Sequence, residues 1–471
     1  MQKKTTAAKV LKNSFLSGIL WLLFCISAEA QQTDSTAFTP QQLLELVREN
    51  HPVAMQAQLI LEKAEAERLK AAGSFDPKLF NNTKQKYFDD YSYYKLQDAG
   101  LKIPTWFGLT AKAGYEYNTG TYLNPQNKTA DNGLWYADLS ITLGKGLFID
   151  ERRASLKQAR LMQTAATYDV ELALNDIYMQ VLQDYWEWYR SYTVYKLYNK
   201  GIQLAQDRFE IIRTNALIGE EPFIDTLEAY IQYQTRVLSQ QKAQVDFYNA
   251  SRKLETHLWL DGSVPLELDS TTYPQYIPQN EKELPAANWL EEHPALKAYA
   301  NKLEVLDIEQ RWNKEQLKPQ LDLSYKFLNE PVNEQAFFEE YSIANYQWGL
   351  AASFPIFLRK ERAAIKKTDV KQKDTRFNME LKSRELENTV QAYINELKLT
   401  EQQLTETRKM VRNYQGLLQA EITKFNNGES SLFLINQREI KYLESSEKEL
   451  ELEAKVKQVR AKLLAKAAEL D

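Results

Sequence analysis

Apolar residues recur along this chain with two different periods, and the switch between them occurs once in each half. From Pro40 to Ala72 the text is rich in Ala, Glu, Leu, Lys and Gln, which predicts a helix that stops before Gly73 and Pro77. A far longer helix is predicted from Ile149 to Leu217, with no Pro and only Gly201 inside it. At 1.5 Å per residue it runs on the order of 100 Å, beyond what globular packing supports, so it calls for coiled-coil or helical-barrel neighbours. Val181, Tyr185, Trp188 and Tyr195 mark an apolar seam along it, read as helix–helix packing rather than as an aromatic ligand box. After a turn near Gly219, a shorter helix returns.

Between these helices the period drops to two. Trp135, Ala137, Leu139, Ile141 and Leu143 alternate with Tyr136, Asp138, Ser140 and Thr142, the pattern of a strand with one apolar and one polar face. Strands are predicted at Lys78–Phe88, Trp106–Asn118 and Leu134–Leu143, with a further one around Tyr93–Ile103. Aromatics crowd the strand ends (Tyr87, Phe88, Tyr91, Trp106, Phe107, Tyr122, Trp135), as in an interfacial girdle; an ordinary β-sandwich with aromatic turns is the alternative.

The whole series then repeats. Glu49-Asn50-His51-Pro52 returns as Glu291-Glu292-His293-Pro294, and Pro77 and Leu79 return as Pro319 and Leu321. Beyond the strands the register shifts, so that Arg153-Ala154 falls on Arg362-Ala363 and Gly219-Glu220 on Gly428-Glu429. The copies predict a helix from Pro285 to Leu317, strands at Gln320–Leu328 and Tyr346–Phe354, and a long helix from Leu358 to Phe425. Val390, Ile394, Leu397 and Leu404 repeat the seam, and Phe337, Phe338, Tyr341, Tyr346 and Trp348 repeat the aromatic crowding. The expected organisation is a leader over 1–30, a first unit over 31–262, a Pro-rich connector over 263–285 (Pro265, Pro274, Pro278, Pro285), and a second unit over 286–471.

Composition narrows the compartment. Lys3, Lys4, Lys9 and Lys12 precede an apolar run from Phe15 to Ile26, and Ala28-Glu29-Ala30 offers a cleavage site, so an export signal is expected over the first thirty residues. Cys25, the sole cysteine, follows Phe24 rather than a small residue, and is expected to leave with the leader rather than carry a lipid. What remains has no thiol chemistry, and its acidic balance (the full chain stands at −5) makes nucleic acid an unsuitable partner. No later run is long and apolar enough for a membrane helix, which leaves a periplasmic, secreted or outer-membrane barrel protein.

A sheet in a membrane must close, because an open edge strands its amides in hydrocarbon. Two spanning strands per unit give four per chain, too few for the smallest barrels of about eight, so several subunits must share one. The extra strand-like text of the first unit is open to two placements, in the wall or as an extracellular extension.

At this point the chain resembles the TolC family of outer-membrane efflux proteins. The resemblance rests on the two-unit plan, on His-Pro opening each unit where many members have Asn-Pro, and on Pro77 and Pro319 entering the strands. It also rests on Pro355-Ile356-Phe357 at a strand-to-helix junction, and on Lys424-Phe425-Asn426-Asn427-Gly428-Glu429-Ser430 at the second tip. The first unit departs from it, with Gly146-Leu147-Phe148 lacking the proline and Asn215-Ala216-Leu217-Ile218-Gly219-Glu220-Glu221-Pro222 lacking the basic–aromatic pair.

The resemblance implies a mainly α chain with a β-barrel portion. Long antiparallel helical hairpins would form a trimeric α-barrel tunnel in the periplasm, and four or more strands per chain would join a shared barrel in the outer membrane. A homotrimer would make a twelve-stranded barrel, meet a periplasmic adaptor at its tip and, through it, an inner-membrane transporter. It would serve as a passive conduit in efflux or type I secretion. The alternative is a periplasmic coiled-coil scaffold whose strands cap the rod.

Gly219 and Gly428 are expected to end their helices in the left-handed conformation. With Glu220, Lys424, Phe425, Glu429 and Ser430 they form the candidate tip turns and adaptor contacts. Glu220, Glu221, Asp225 and Glu429 are candidate gate carboxylates, which in a ring would favour cations; the competing account is that acidic residues complement helix N-termini. His51 and His293 occupy matching places before Pro and are read as structural, not metal-binding, while His257 stands alone. No Ser-His-Asp order, phosphate loop or zinc motif is present, so neither catalysis nor a cofactor is expected.

Overall fold

The computed structural model describes residues 36–261, 264–269, 271–276, 285–330 and 344–470. The expected leader with Cys25, together with Gly262, Pro278, Phe337, Phe338 and Tyr341, lies outside the described residues.

Helix α1 (Pro40–Asn50) opens with Thr39 as N-cap: Gln42 N–H donates to Thr39 Oγ1 at 3.3 Å, and Gln42 Oε1 accepts from Thr39 N–H at 2.9 Å. The single helix expected over Pro40–Ala72 is broken at His51, and α2 (Pro52–Ala72) follows. Its copy is broken in the same way. Only a four-residue turn, Trp289–Glu292, precedes His293, and then α5 (Pro294–Glu315) begins, so residues 285–288 are not helical. The cause is the proline, whose ring bars the preceding residue from helical ψ: His51 sits at ψ 133° and His293 at ψ 125°. Each imidazole then caps the helix it precedes, His51 Nδ1 accepting from Val53 N–H and His293 Nδ1 from Ala295 N–H, both at 3.1 Å. The duplicated His-Pro is a duplicated helix start.

Four strands follow α2: β1 (Lys78–Phe88), β2 (Tyr91–Pro104), β3 (Leu109–Thr119) and β4 (Leu134–Gly144). The second unit supplies β5 (Gln320–Asn329) and β6 (Tyr346–Ser353). All six join one antiparallel sheet in the order β6-β5-β4-β3-β2-β1. Trp106 lies outside its predicted strand, in the tight β2–β3 turn beside Phe107. Among the described residues the second unit contributes two strands to this sheet and the first contributes four.

The long helices are α3 (Glu151–Ile218) and α6 (Arg359–Asn426), 68 residues each, and they return as α4 (Phe223–Glu255) and α7 (Leu432–Lys466). α3 packs along α4 and α7, α6 along α7, and α2 and α5 flank the upper part of α3. The principal core lies where α1, α3, α4 and the end of α7 converge. Val181, Tyr185 and Trp188 are fully buried there, and on the second seam Val390, Leu397 and Leu404 are buried with Ile394 half-buried. Trp188 Nε1–H donates to Ser251 Oγ at 2.9 Å, and Tyr185 Oη lies 2.8 Å from the Phe38 carbonyl oxygen and 3.0 Å from that of Gln275. Tyr185 of α3 thus anchors a two-residue parallel pairing, Ala37–Phe38 with Tyr273–Pro274, against the middle of that helix. No described helix is long and apolar enough to cross a membrane.

Candidate functional site

The two hairpin turns have the same backbone geometry. Gly219 takes φ +83° and Gly428 φ +75°. In the first turn Gly219 N–H donates to Ala216 O and Glu220 N–H to Asn215 O; in the second, Gly428 N–H donates to Phe425 O and Glu429 N–H to Lys424 O. The left-handed residue reverses the chain while the last carbonyls of each long helix keep donors. Asn215-Ala216 therefore builds the same turn as Lys424-Phe425, although the side chains differ.

The tips lie side by side. Ile212 of α3, Ala229 of α4 and Leu432 of α7 form a small core, with Phe209 and Phe425 packed against it. Phe425 is accordingly half-buried in the joint between hairpins, while Lys424 is exposed. Ser430 Oγ donates to Glu421 Oε1 at 2.6 Å, and Arg438 stands 3.5 Å from Glu421 Oε2. The Ser430 bond, supported by Arg438, holds the Glu421 carboxyl below its ordinary range. The Ser430 hydroxyl is thus engaged within its own hairpin.

Glu220 and Glu429 are exposed on the turns, and Glu221 and Asp225 are half-buried. Asp225 lies in the first turn of α4, where its charge complements the helix N-terminus.

Above the tips, Glu439 of α7 ties the two hairpins together. It pairs with Arg208 of α3, and its Oε1 lies 3.6 Å from Nε of Arg236 on α4. Asn436 extends the link, accepting from Arg208 at 3.3 Å and donating to Glu228 Oε1 at 3.1 Å. Glu439 and Arg236 are both buried. Nearby, Tyr198 Oη donates to Glu447 Oε2 at 2.6 Å, and burial together with that bond raises its pKa, keeping the phenol neutral.

The sequence reading missed the apolar character of the first tip. Leu217, Ile218, Phe223 and Ile224 flank the Gly219 turn and are 66–77% exposed. The signal was available: apolar residues stand on both sides of a Glu-Glu-Pro turn. Among the described residues there is no group of three or more His, Cys, Asp or Glu placed to hold a metal ion.

At the opposite end, the sheet divides into two faces. One carries Leu139, Ile141, Leu323, Tyr325 and Trp348, and the other Asp138, Ser140, Asp322, Ser324 and Lys326. Residues 287–468 match the outer membrane efflux protein family. The match lies within the second unit, which is similar to that family. No curated protein matches the chain. Solved structures agree on the fold at low identity. The CmeC outer membrane channel of Campylobacter jejuni aligns at TM-score 0.62 and 13% identity, over 91% of this chain and 85% of that one. The MtrE outer membrane channel of Neisseria gonorrhoeae, in its open state, aligns at 0.66 and 13%, over 94% and 93%. The outer membrane protein VceC of Vibrio cholerae aligns at 0.62 and 13%, over 91% and 96%. The chain shares the fold of these solved structures along nearly its whole length.

Proposed function

We propose that the chain is one subunit of a homotrimeric export channel in the outer membrane. Its sheet would form part of a shared barrel among lipids, and its helices a periplasmic tunnel. The observation that carries this is the two-faced sheet set on helices about 100 Å long. A sheet whose outer face is apolar across β3–β6 and whose edges are open is stable in lipid only when closed by further copies. A soluble cap, as in the scaffold reading, needs no such face.

The exposed tip residues Leu217, Ile218, Phe223 and Ile224 support docking of a periplasmic adaptor, which would in turn reach an inner-membrane transporter. Gly219, Glu220, Lys424, Gly428 and Glu429 form the surface of the same tip, with Phe425 and Ser430 supporting it from within. Glu220, Glu221, Asp225 and Glu429, repeated by threefold symmetry, would ring the mouth with carboxylates and favour cations. The chain acts as a passive conduit, with no catalytic step.

Planar-bilayer recordings on the purified protein test this reading. Discrete cation-selective conductance is expected, with selectivity reduced when Glu220, Glu221, Asp225 and Glu429 are changed together to Gln or Asn. Selectivity unchanged by that variant would remove the carboxylate ring. Absence of any conductance from either protein would remove the channel.

A further inference from the structure

Building on the shared-barrel reading, we infer that β1 of one copy pairs edge to edge with β6 of the next. All six strands then form the wall, and three copies close a barrel of eighteen strands rather than twelve.

The registers carry this. One row across the sheet reads Tyr346, Phe327, Ala137, Ala113, Leu101 and Leu79, from β6 to β1, with no polar residue. An adjacent row on the other face reads Gln347, Lys326, Asp138, Lys112, Lys102 and Lys78, with no apolar one. The division into a lipid face and a lumen face therefore reaches the first hairpin at its end nearest the helices. Higher on the hairpin the outer face turns to Asn81, Thr83 and Gln85 of β1 and to Gln97 and Lys95 of β2, while Lys78, Lys84 and Lys86 take the inner face.

The ends of the strands nearest the helices are staggered in one direction. β3 starts opposite Ile141, two residues short of Leu143; β2 ends opposite Thr110; and β1 starts opposite Lys102. A steady stagger is what tilted barrel strands require. β1, β3, β4 and β5, of 10 or 11 residues, match the length that crosses a bilayer at a tilt, while β2 runs to 14 residues and β6 to 8.

The first hairpin is also held in the wall from inside. Tyr136 on β4 lies over Gly114 on β3, where an added Cβ would stand 2.8 Å from its hydroxyl, and donates to Asp98 Oδ1 on β2 at 2.7 Å. Closure through β3 would have to strip off β2, breaking this bond and ten paired positions. β1 and β6 are the two sheet edges and are exposed at nearly every position. β1 leaves the helices and β6 returns to them, so a head-to-tail junction is antiparallel like every other pair.

The test uses the full-length protein with Cys25 as its only native cysteine. Asn82→Cys on β1 is combined in turn with Gln347→Cys, Gly349→Cys and Ala351→Cys on β6, all on the lumen face, and oxidised in outer membranes. At least one pair is expected to give covalent dimers and trimers on denaturing gels. Cryo-electron microscopy of the unmodified protein in nanodiscs is expected to count eighteen strands. Failure of all three pairs to cross-link, or a threefold barrel of twelve strands with β1–β2 outside the wall, overturns this inference and leaves the channel intact. Particles with no shared barrel overturn both.

Discussion

The phenol of Tyr136 crosses the face of Gly114 to reach Asp98, two strands away, so one hydrogen bond spans β4, β3 and β2. The glycine makes the crossing possible, because any side chain there would occupy the path of the ring. A bond to a charged acceptor contributes about 1.5–3 kcal/mol. Tyr136→Phe is therefore expected to lower the unfolding temperature of the sheet in heat-modifiability gels, and Gly114→Val to lower it further. Equal melting of Tyr136→Phe and wild type would mean that the first hairpin is held by backbone pairing alone.

Glu439 is buried between Arg208 and Arg236 and joins the two hairpins. Removing one member of such a group leaves charge buried without its counter-ion, at a cost of about 3–5 kcal/mol. Glu439→Leu is expected to be strongly destabilising by thermal melting. The double variant Glu439→Leu/Arg236→Met is expected to recover part of the loss, since it removes the fully buried pair and leaves Arg208 free to turn towards solvent.

Stability should fall below neutral pH through the two capping histidines. Burial lowers the pKa of His51, with His257 adding to it. Burial also lowers that of His293, partly offset by its hydrogen bond to the Lys466 carbonyl. In His293, Nε2–H donates to Lys466 while Nδ1 accepts from Ala295, so the neutral ring satisfies both partners and a second proton would displace the cap. A depressed pKa means that the unfolded chain binds more protons as pH falls. The contribution is complete above the unfolded value of about 6.5 and is lost as pH falls through the folded value. Melting temperature should drop between pH 7.5 and pH 5. His293→Asn, which keeps a capping oxygen and does not titrate, should flatten that slope; an unchanged slope would place the titration elsewhere.

At the first tip, Phe223→Ser with Ile224→Ser replaces exposed apolar groups that touch no core. Surface changes of this kind move stability by about 0.5 kcal/mol or less. Pull-down of the cognate adaptor from membranes should nonetheless weaken by an order of magnitude or more. Full retention of the adaptor would assign docking to another surface.

Much of this fold was legible because its signals are local. The Pro-free stretch from Ile149 to Leu217 had to be one long helix, and the alternation from Leu134 to Leu143 had to be a strand. The break at His51 was legible in principle from Pro52, but the strong helix formers on both sides masked it. The order of strands in the sheet was not legible, because alternation specifies a face and not a neighbour. Only the registers show that Leu79 continues the apolar row begun at Tyr346. Phe425 illustrates a different limit. Its place in a tip motif pointed outward, whereas the second hairpin supplies Leu432 and the first Ile212 to cover it.

Electron microscopy of the protein extracted in detergent from the outer-membrane fraction tests directly whether its copies share one barrel. Threefold particles with a short barrel at one end and a rod of roughly 100 Å are expected. Soluble monomers, or rods without a barrel recovered from the periplasm, would contradict a shared barrel.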